Sequence, residues 1–352
     1  MAEKKKYFTR MGDGSIVYMT EDEIREDILA GVRDAEKRGK IEPLTKEEMD
    51  HIYEIVAMPG GVVGVRAEDA IVSTSDSGSD KFHTKCAIPV DRSVGAMIHE
   101  RVLGADSVDI GMNDYNYKTV KGVAKREAGV LNNALMKTTL PLFYGAMPDL
   151  GFYTKPDGPV ENWATLLPEG KIDEALAAQE EAVEHSVKDI VYMAEQVDAV
   201  GGDGIHMDTA GAAGDGDFLA ALRATEEIVS KFPNLPVSIG MAGEFVLGMH
   251  GRLKYKDQRL AGLYPHKQVK LAEEAGASIF GPVVNTNTNM TFPWNIGRVC
   301  TFIKACSEVA EIPIHANAGM GVCGVPMSEN LTSDVVSRVD KCLIEICKID
   351  GL

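Results

Sequence analysis

Asp203-Gly204-Ile205-His206-Met207-Asp208-Thr209, running into Ala210-Gly211-Ala212-Ala213-Gly214-Asp215-Gly216-Asp217 and then Phe218 to Phe232, is the stretch on which the fold turns. A short apolar segment, a glycine-rich turn and an amphipathic run follow one another, which is the order of a βα unit. Working outward, further apolar segments lie at Ser107 to Gly111, Leu140 to Ala146, Pro236 to Glu244, Ala277 to Val283 and Pro313 to Met320. Amphipathic stretches such as Pro265 to Ala275 and Pro293 to Val309 fill the intervals. From Ile205 to Val237, Ser278, Pro313 and Asp350 the steps are 32, 41, 35 and 37 residues. A (βα)8 barrel spends roughly 30 residues per unit, so the pace fits.

Asp350-Gly351-Leu352 repeats the Asp-Gly-aliphatic opening of the strand at 203, and reads as the first step of a buried seventh strand. The expectation is therefore an α/β protein, a (βα)8 TIM barrel over residues 104–352 that is truncated at its C-terminus, with six strands complete and a seventh begun. Residues 1–103 form an N-terminal α/β extension. A doubly wound open sheet is the rival, but no Gly-x-Gly-x-x-Gly follows the first strand, and the longest glycine-rich stretch follows the third.

The extension carries its own signals. Gly12-Asp13-Gly14 separates two β-prone runs between Tyr7 and Thr20, which predicts a hairpin. Thr20 and Thr45 each precede a helical pattern with Glu in its first turn, and Pro59-Gly60-Gly61 stops the second. Ser73 to Asp80, rich in Ser, Gly and Asp, reads as a surface loop.

Composition narrows the function. The net charge of −17 opposes a phosphate backbone, so nucleic acid is not an expected partner. No apolar run reaches ~18 residues, so neither a membrane span nor a secretory leader is expected, and the protein reads as cytoplasmic. The six cysteines, at 86, 300, 306, 323, 342 and 347, have neither Cys-x-x-Cys nor zinc spacing and read as reduced thiols.

Longer strings are more specific. Phe143-Tyr144-Gly145-Ala146-Met147-Pro148, the 208–217 run, Gly240-Met241-Ala242-Gly243-Glu244 with Leu247-Gly248-Met249-His250-Gly251, and Phe280-Gly281-Pro282-Val283 with Asn285-Thr286-Asn287-Thr288 resemble the dimethylamine:corrinoid methyltransferases of methanogenic archaea. Arg10-Met11-Gly12-Asp13-Gly14 and Met320-Gly321-Val322 extend the resemblance over the whole chain.

The resemblance implies methyl transfer from dimethylamine to the cobalt of a corrinoid carried by a cognate partner protein, releasing monomethylamine, in methanogenesis from methylamines. The corrinoid belongs to the partner, and no tightly bound cofactor is expected in this chain. It also implies pyrrolysine, encoded by an in-frame amber codon, just after Leu352. Its imine is proposed to add the amine and aim a methyl group at reduced cobalt. The chain itself is then expected to be inactive for want of that residue. A homo-oligomer is expected.

Among ordinary side chains, Glu244 ends the fourth strand, where a carboxylate suits an ammonium substrate or the adduct; its alternative is a surface or capping Glu. Asp208 supplies a second anion one strand earlier, or caps the next helix. His315 and Asn317 alternate on one strand face and suit substrate or corrinoid contact, or hydrogen-bonded core positions. Asn285 and Asn287 suit substrate positioning, or an Asn-rich turn. Tyr144 is a pocket wall or half-buried packing.

No metal site is expected, because His206, Asp208, Glu244 and His315 lack close ligand spacing. Gly211 to Asp217 suggests an amide nest for phosphate, but Asp215 and Asp217 oppose an anion, so a closing loop reads better. Two other readings stay open: a truncated, non-catalytic chain that binds only the corrinoid partner, and a generic barrel lyase. A Schiff-base aldolase needs a strand-end lysine, and the six strands have none.

Overall fold

In the computed structural model, residues 4–65, 69, 72–75, 106–109, 143–146, 148–202, 204–328 and 332–352 are described. They fall into two compact units: residues 1–108 with 282–352, and residues 109–281.

The first unit opens with the expected hairpin, β1 (Lys6–Arg10) paired antiparallel with β2 (Ile16–Thr20). Helix α1 (Glu21–Gly39) and helix α2 (Lys46–Ala57) follow. Both begin in reciprocal capping boxes, Thr20 with Glu23 and Thr45 with Glu48, which satisfy otherwise orphaned amides at each helix start. Strands β3 (Val72–Ser75) and β4 (Asp106–Asp109) pair with each other. Ser73 to Ser75 are thus strand and not loop, while residues 76–80 of that loop lie outside the described residues. The segment at 107–111, expected in the barrel sheet, has β3 as its partner instead.

The second unit holds the parallel sheet. Its strands are β5 (Phe143–Ala146), β6 (Gly204–Ala210), β7 (Val237–Met241) and, after a two-stranded ribbon β8 (Lys254–Tyr255) and β9 (Gln258–Arg259), β10 (Ile279–Gly281). The order β5-β6-β7-β10 follows the chain without reversal. Among the described residues its helices are α3 (Trp163–Leu166), α4 (Ile172–Ala199), α5 (Asp215–Lys231) and α6 (Pro265–Ala275). Ile205, Met207, Val237, Ile239 and Phe280 are sealed from solvent, whereas His206, Asp208, Ser238, Gly240 and Ile279 are half-buried. Because side chains alternate across a strand, the sheet has one closed aliphatic face and one partly open face.

The chain returns to the first unit with α7 (Phe292–Val309) and α8 (Ser333–Glu345). Helices α1 and α7 cross with their backbones nearly touching: a Cβ on Gly31 would strike the Trp294 carbonyl, and one on Gly297 would stand 2.5 Å from the Ile28 carbonyl oxygen. Only glycine allows so close a crossing. Buried Arg298 then reaches Asp34 at 2.7 Å. Burial raises that carboxyl, but hydrogen bonds from Arg38 and Arg298 outweigh it and hold Asp34 below its ordinary value. On α8, Arg338 donates to the carbonyls of Met58 and Gly60 and Lys341 to that of Gly64, so two buried cations hold the chain leaving α2.

Pro313 to Met320, expected as a full strand, is reduced among the described residues to bridge positions at Ile314 and His315, the latter parallel to Gly351. Its Ala-Asn-Ala-Gly sequence after His315 has no β-branched residue to favour a pleat. Cys300, Cys306, Cys323, Cys342 and Cys347 are free and buried; Cys86 lies outside the described residues.

Candidate functional site

The open face of the parallel sheet carries small residues beside His206, Asp208 and Ile279. Gly145 stands opposite His206, His206 opposite Ser238, and Ser238 opposite Ile279, while Gly240 stands opposite Gly281. The His206 imidazole lies across β7: its Nδ1 is 3.0 Å from Ser238 Oγ, and a Cβ on Gly240 would stand 2.9 Å from Cε1. Its Nε2 faces Asp208 Oδ1 at 3.7 Å, with both side chains only about 16% and 13% exposed. Tyr144 stands opposite Ile205, one residue out of phase with His206.

The backbone under Asp208 is irregular. Met207 pairs with Ile239 and Ala210 with Met241, so β6 carries one residue more than β7 between these points. The bulge falls at Asp208-Thr209, and Thr209 takes φ +52°. A β-branched residue in the left-handed region is strained by about 1–3 kcal/mol. Bulges of this kind re-aim a side chain.

The glycine-rich turn that follows is occupied from within. Asp217, 2% exposed, accepts hydrogen bonds from Ala213 N at 2.7 Å and Leu150 N at 3.3 Å. Its own carboxylate fills the nest, so the turn is a pinned structure and not a phosphate cradle or a free-standing flap. Burial pushes its pKa up to about 7, against the downward pull of those two amides. Asp215 is fully buried, with neither carboxylate oxygen in a hydrogen bond among the described residues, and burial raises it too. His250 is lowered by burial, with the Asp215 charge opposing.

Glu244 lies three residues beyond the end of β7 and is 6% exposed; its carbonyl accepts from Gln268 Nε2 at 3.4 Å. Beyond it Phe245, Leu247 and Met249 are 38%, 53% and 41% exposed beside a shallow depression of about 380 Å³ that Arg259 also lines.

The remaining candidates sit in the first unit. Asn285 bridges antiparallel to Val322, and Arg298 donates to its carbonyl at 3.5 Å. Asn287 is tied through its backbone to the buried Asn295 amide at 2.8 and 3.0 Å, and its own side chain accepts from Asn289 N at 3.0 Å. That last contact is an Asx turn, the second of the two readings of this segment. The His315 ring lies over Gly351, whose added Cβ would stand 2.6 Å from Cε1, and Asn317 is exposed. The structure thus brings His206, Asp208 and Ser238 together in one unit, and Asn285 and Asn287 into one loop of the other. Among the described residues no three His, Cys, Asp or Glu side chains gather as metal ligands, and no helix is long and apolar enough to cross a membrane.

His206 and Ser238 were not singled out as site residues from the sequence. Ser238-Ile239-Gly240 carries no motif, and its meaning appears only when β6 and β7 pair.

Compared with known families, residues 5–352 match the family model described as dimethylamine methyltransferase (Dimeth_PyL). The chain belongs to the dimethylamine methyltransferase family. It is an enzyme that transfers a methyl group from dimethylamine. Among solved structures, the homocysteine methyltransferase MmuM from Escherichia coli, in its apo form, is similar at 10% identity and a TM-score of 0.32, covering 79% of this chain and 95% of that one.

Proposed function

We propose that the chain binds dimethylamine as its ammonium ion on the open face of the parallel sheet and presents one methyl group to the cobalt of a corrinoid held by a cognate partner protein. The observation that carries this reading is the combination of a family match over residues 5–352 with a glycine-floored sheet face beside a half-buried carboxylate. Near neutral pH a secondary amine carries a proton, so it needs a negative partner, and the proton lets it leave as neutral monomethylamine. The breaking N–C bond leaves its electron pair on nitrogen, and the acceptor supplies the pair for the new bond.

In this proposal Asp208 and Glu244 supply negative charge, and Asn285, Asn287, His315, Asn317 and Tyr144 serve as contacts of substrate or corrinoid. The unreversed strand order supports a sheet that continues as a (βα)8 barrel over 104–352, with 1–103 as an extension outside it. Methanogenesis from methylamines, in the cytoplasm, is the setting that the family resemblance suggests for this reaction.

The test is dimethylamine-dependent methylation of the reduced corrinoid partner by the native enzyme, with Glu244→Gln alongside. Glu244→Gln is expected to lower turnover by at least ~10-fold if the carboxylate acts electrostatically or in proton transfer. An unchanged rate would return Glu244 to a capping role.

A further inference from the structure

We propose that His206 is the positioning residue for the Asp208 carboxylate in the amine site, an inference that rests on the methyl-transfer reading above. Three independent features of the fold converge on this pair.

The imidazole is held by its neighbours and not by solvent. Ser238 Oγ engages Nδ1 at 3.0 Å, and the ring rests on Gly240, where any Cβ would stand 2.9 Å from Cε1 and 3.2 Å from Nε2. With one ring nitrogen committed to a hydroxyl, the other is set to face Asp208 at 3.7 Å. That separation is long for a hydrogen bond, as catalytic contacts often are before substrate closes on them. A ring so fixed selects one orientation of the carboxylate.

The backbone has been shaped around the same carboxylate at a local penalty. The extra residue in β6 falls at Asp208-Thr209, Thr209 is forced to φ +52°, and its buried hydroxyl has no hydrogen-bond partner among the described residues. A β-branched residue in that region and an unpaired buried hydroxyl each oppose folding. A glycine there would remove both, and the bulge falls at the point where Asp208, on the same face as His206 by strand alternation, leaves the regular ladder.

Two glycines lie in register beside the pair. Gly145 and Gly281 occupy register positions on either side of the His206 and Gly240 rows. The charge is supplied by Asp208, and the direction of that charge by His206.

The experiment uses the native enzyme with its reduced corrinoid partner, together with calorimetric titration of dimethylammonium chloride into the enzyme alone. His206→Ala is expected to raise both the KM and the Kd for dimethylamine by at least ~10-fold while the KM for the corrinoid partner stays within about twofold. His206→Gln, which keeps an N–H directed at Asp208, is expected to recover most of that loss. The double variant His206→Ala/Asp208→Asn should be no worse than Asp208→Asn, because the histidine acts through the acid.

An unchanged dimethylamine KM and Kd in His206→Ala, a Gln variant as impaired as Ala, or additive effects in the double variant would each overturn the assignment. Should His206→Ala not fold, Ser238→Ala frees only Nδ1 and is expected to raise the dimethylamine KM by about threefold at an unchanged melting temperature; no rise would overturn it. Wild-type enzyme that shows no dimethylamine-dependent turnover would instead sink the methyl-transfer reading itself.

Discussion

Two histidines in this molecule lie flat over a glycine of a neighbouring strand. In the second unit His206 covers Gly240, and in the first His315 covers Gly351. The local geometry is alike, yet the surroundings differ. His206 is bracketed by a serine hydroxyl and a carboxylate on the open side of a four-stranded sheet. His315 sits on a single bridge, where the Asp350 carboxylate accepts from Ile314 N at 2.9 Å and Ala316 N donates to the Gly351 carbonyl at 3.1 Å. A glycine beneath a histidine therefore marks a close backbone approach in both cases, once within the ladder of a sheet and once at a bridge.

The largest expected effect comes from pH acting near the first of these sites and not the second. Asp217 pins the turn that follows Asp208, and its folded pKa of about 7 exceeds that of an unfolded aspartate. Its protonated form is thus favoured by folding, and that stability is complete below about pH 4 and lost as pH rises through 7. A shift of about three units corresponds to at most ~4 kcal/mol. Urea unfolding between pH 4.5 and 8 should show the decline, and Asp217→Asn should flatten it. A decline that persists in the variant would remove Asp217 from the account.

Next in size is Gly351→Ala. The added methyl meets the ring and would part the 314–316 and 350–351 segments, at a cost of about 2–3 kcal/mol as an overpacked contact. Thermal melting measures it, and a neutral result would mean that the ring swings aside freely.

Gly240→Ala sharpens the contrast, because the contacts are looser and the ring has to yield only a few tenths of an ångström. Stability should fall by no more than ~1 kcal/mol, while the KM for dimethylamine rises about tenfold as the Asp208 orientation is lost. Equal losses in both substrates' KM values would argue for general distortion instead.

The smallest expected effect is a gain. Thr209→Gly relieves the left-handed strain and the unpaired hydroxyl and should stabilise the protein by roughly 0.5–1 kcal/mol, while activity falls by a few fold as the bulge relaxes. A variant both more stable and fully active would show that the strain has no part in aiming Asp208.

The two capped helices, the 7–20 hairpin and the strands at 204, 237 and 279 were legible because their signals are local: a Thr with Glu three residues on, a glycine pair between β-prone runs, an apolar run closed by a turn. Strand ends were read long: Ala242 and Gly243 carry no polar side chain to mark a stop, but the chain leaves the ladder after Met241. The 28-residue α4 and the short β8-β9 ribbon were not anticipated. The glycine-rich turn was misread as a closing loop, because nothing in Asp215-Gly216-Asp217 says that the second acid turns back into the nest. Of the site, the sequence placed Asp208 and Glu244 at strand ends, but Ser238 and Gly240, which hold His206 beside Asp208, lie 30 or more positions away on β7 and depend on register.

The α1–α7 crossing bears on when this protein becomes a protein. Gly31 meets Trp294, so the helix made early in synthesis has only β2 and α2 to pack on until residues beyond 292 have left the ribosome. At roughly 5–20 residues per second that wait lasts on the order of 15–50 seconds. During it the Gly31 crossing is open, so the N-terminal segment waits half-assembled for the last part of the chain.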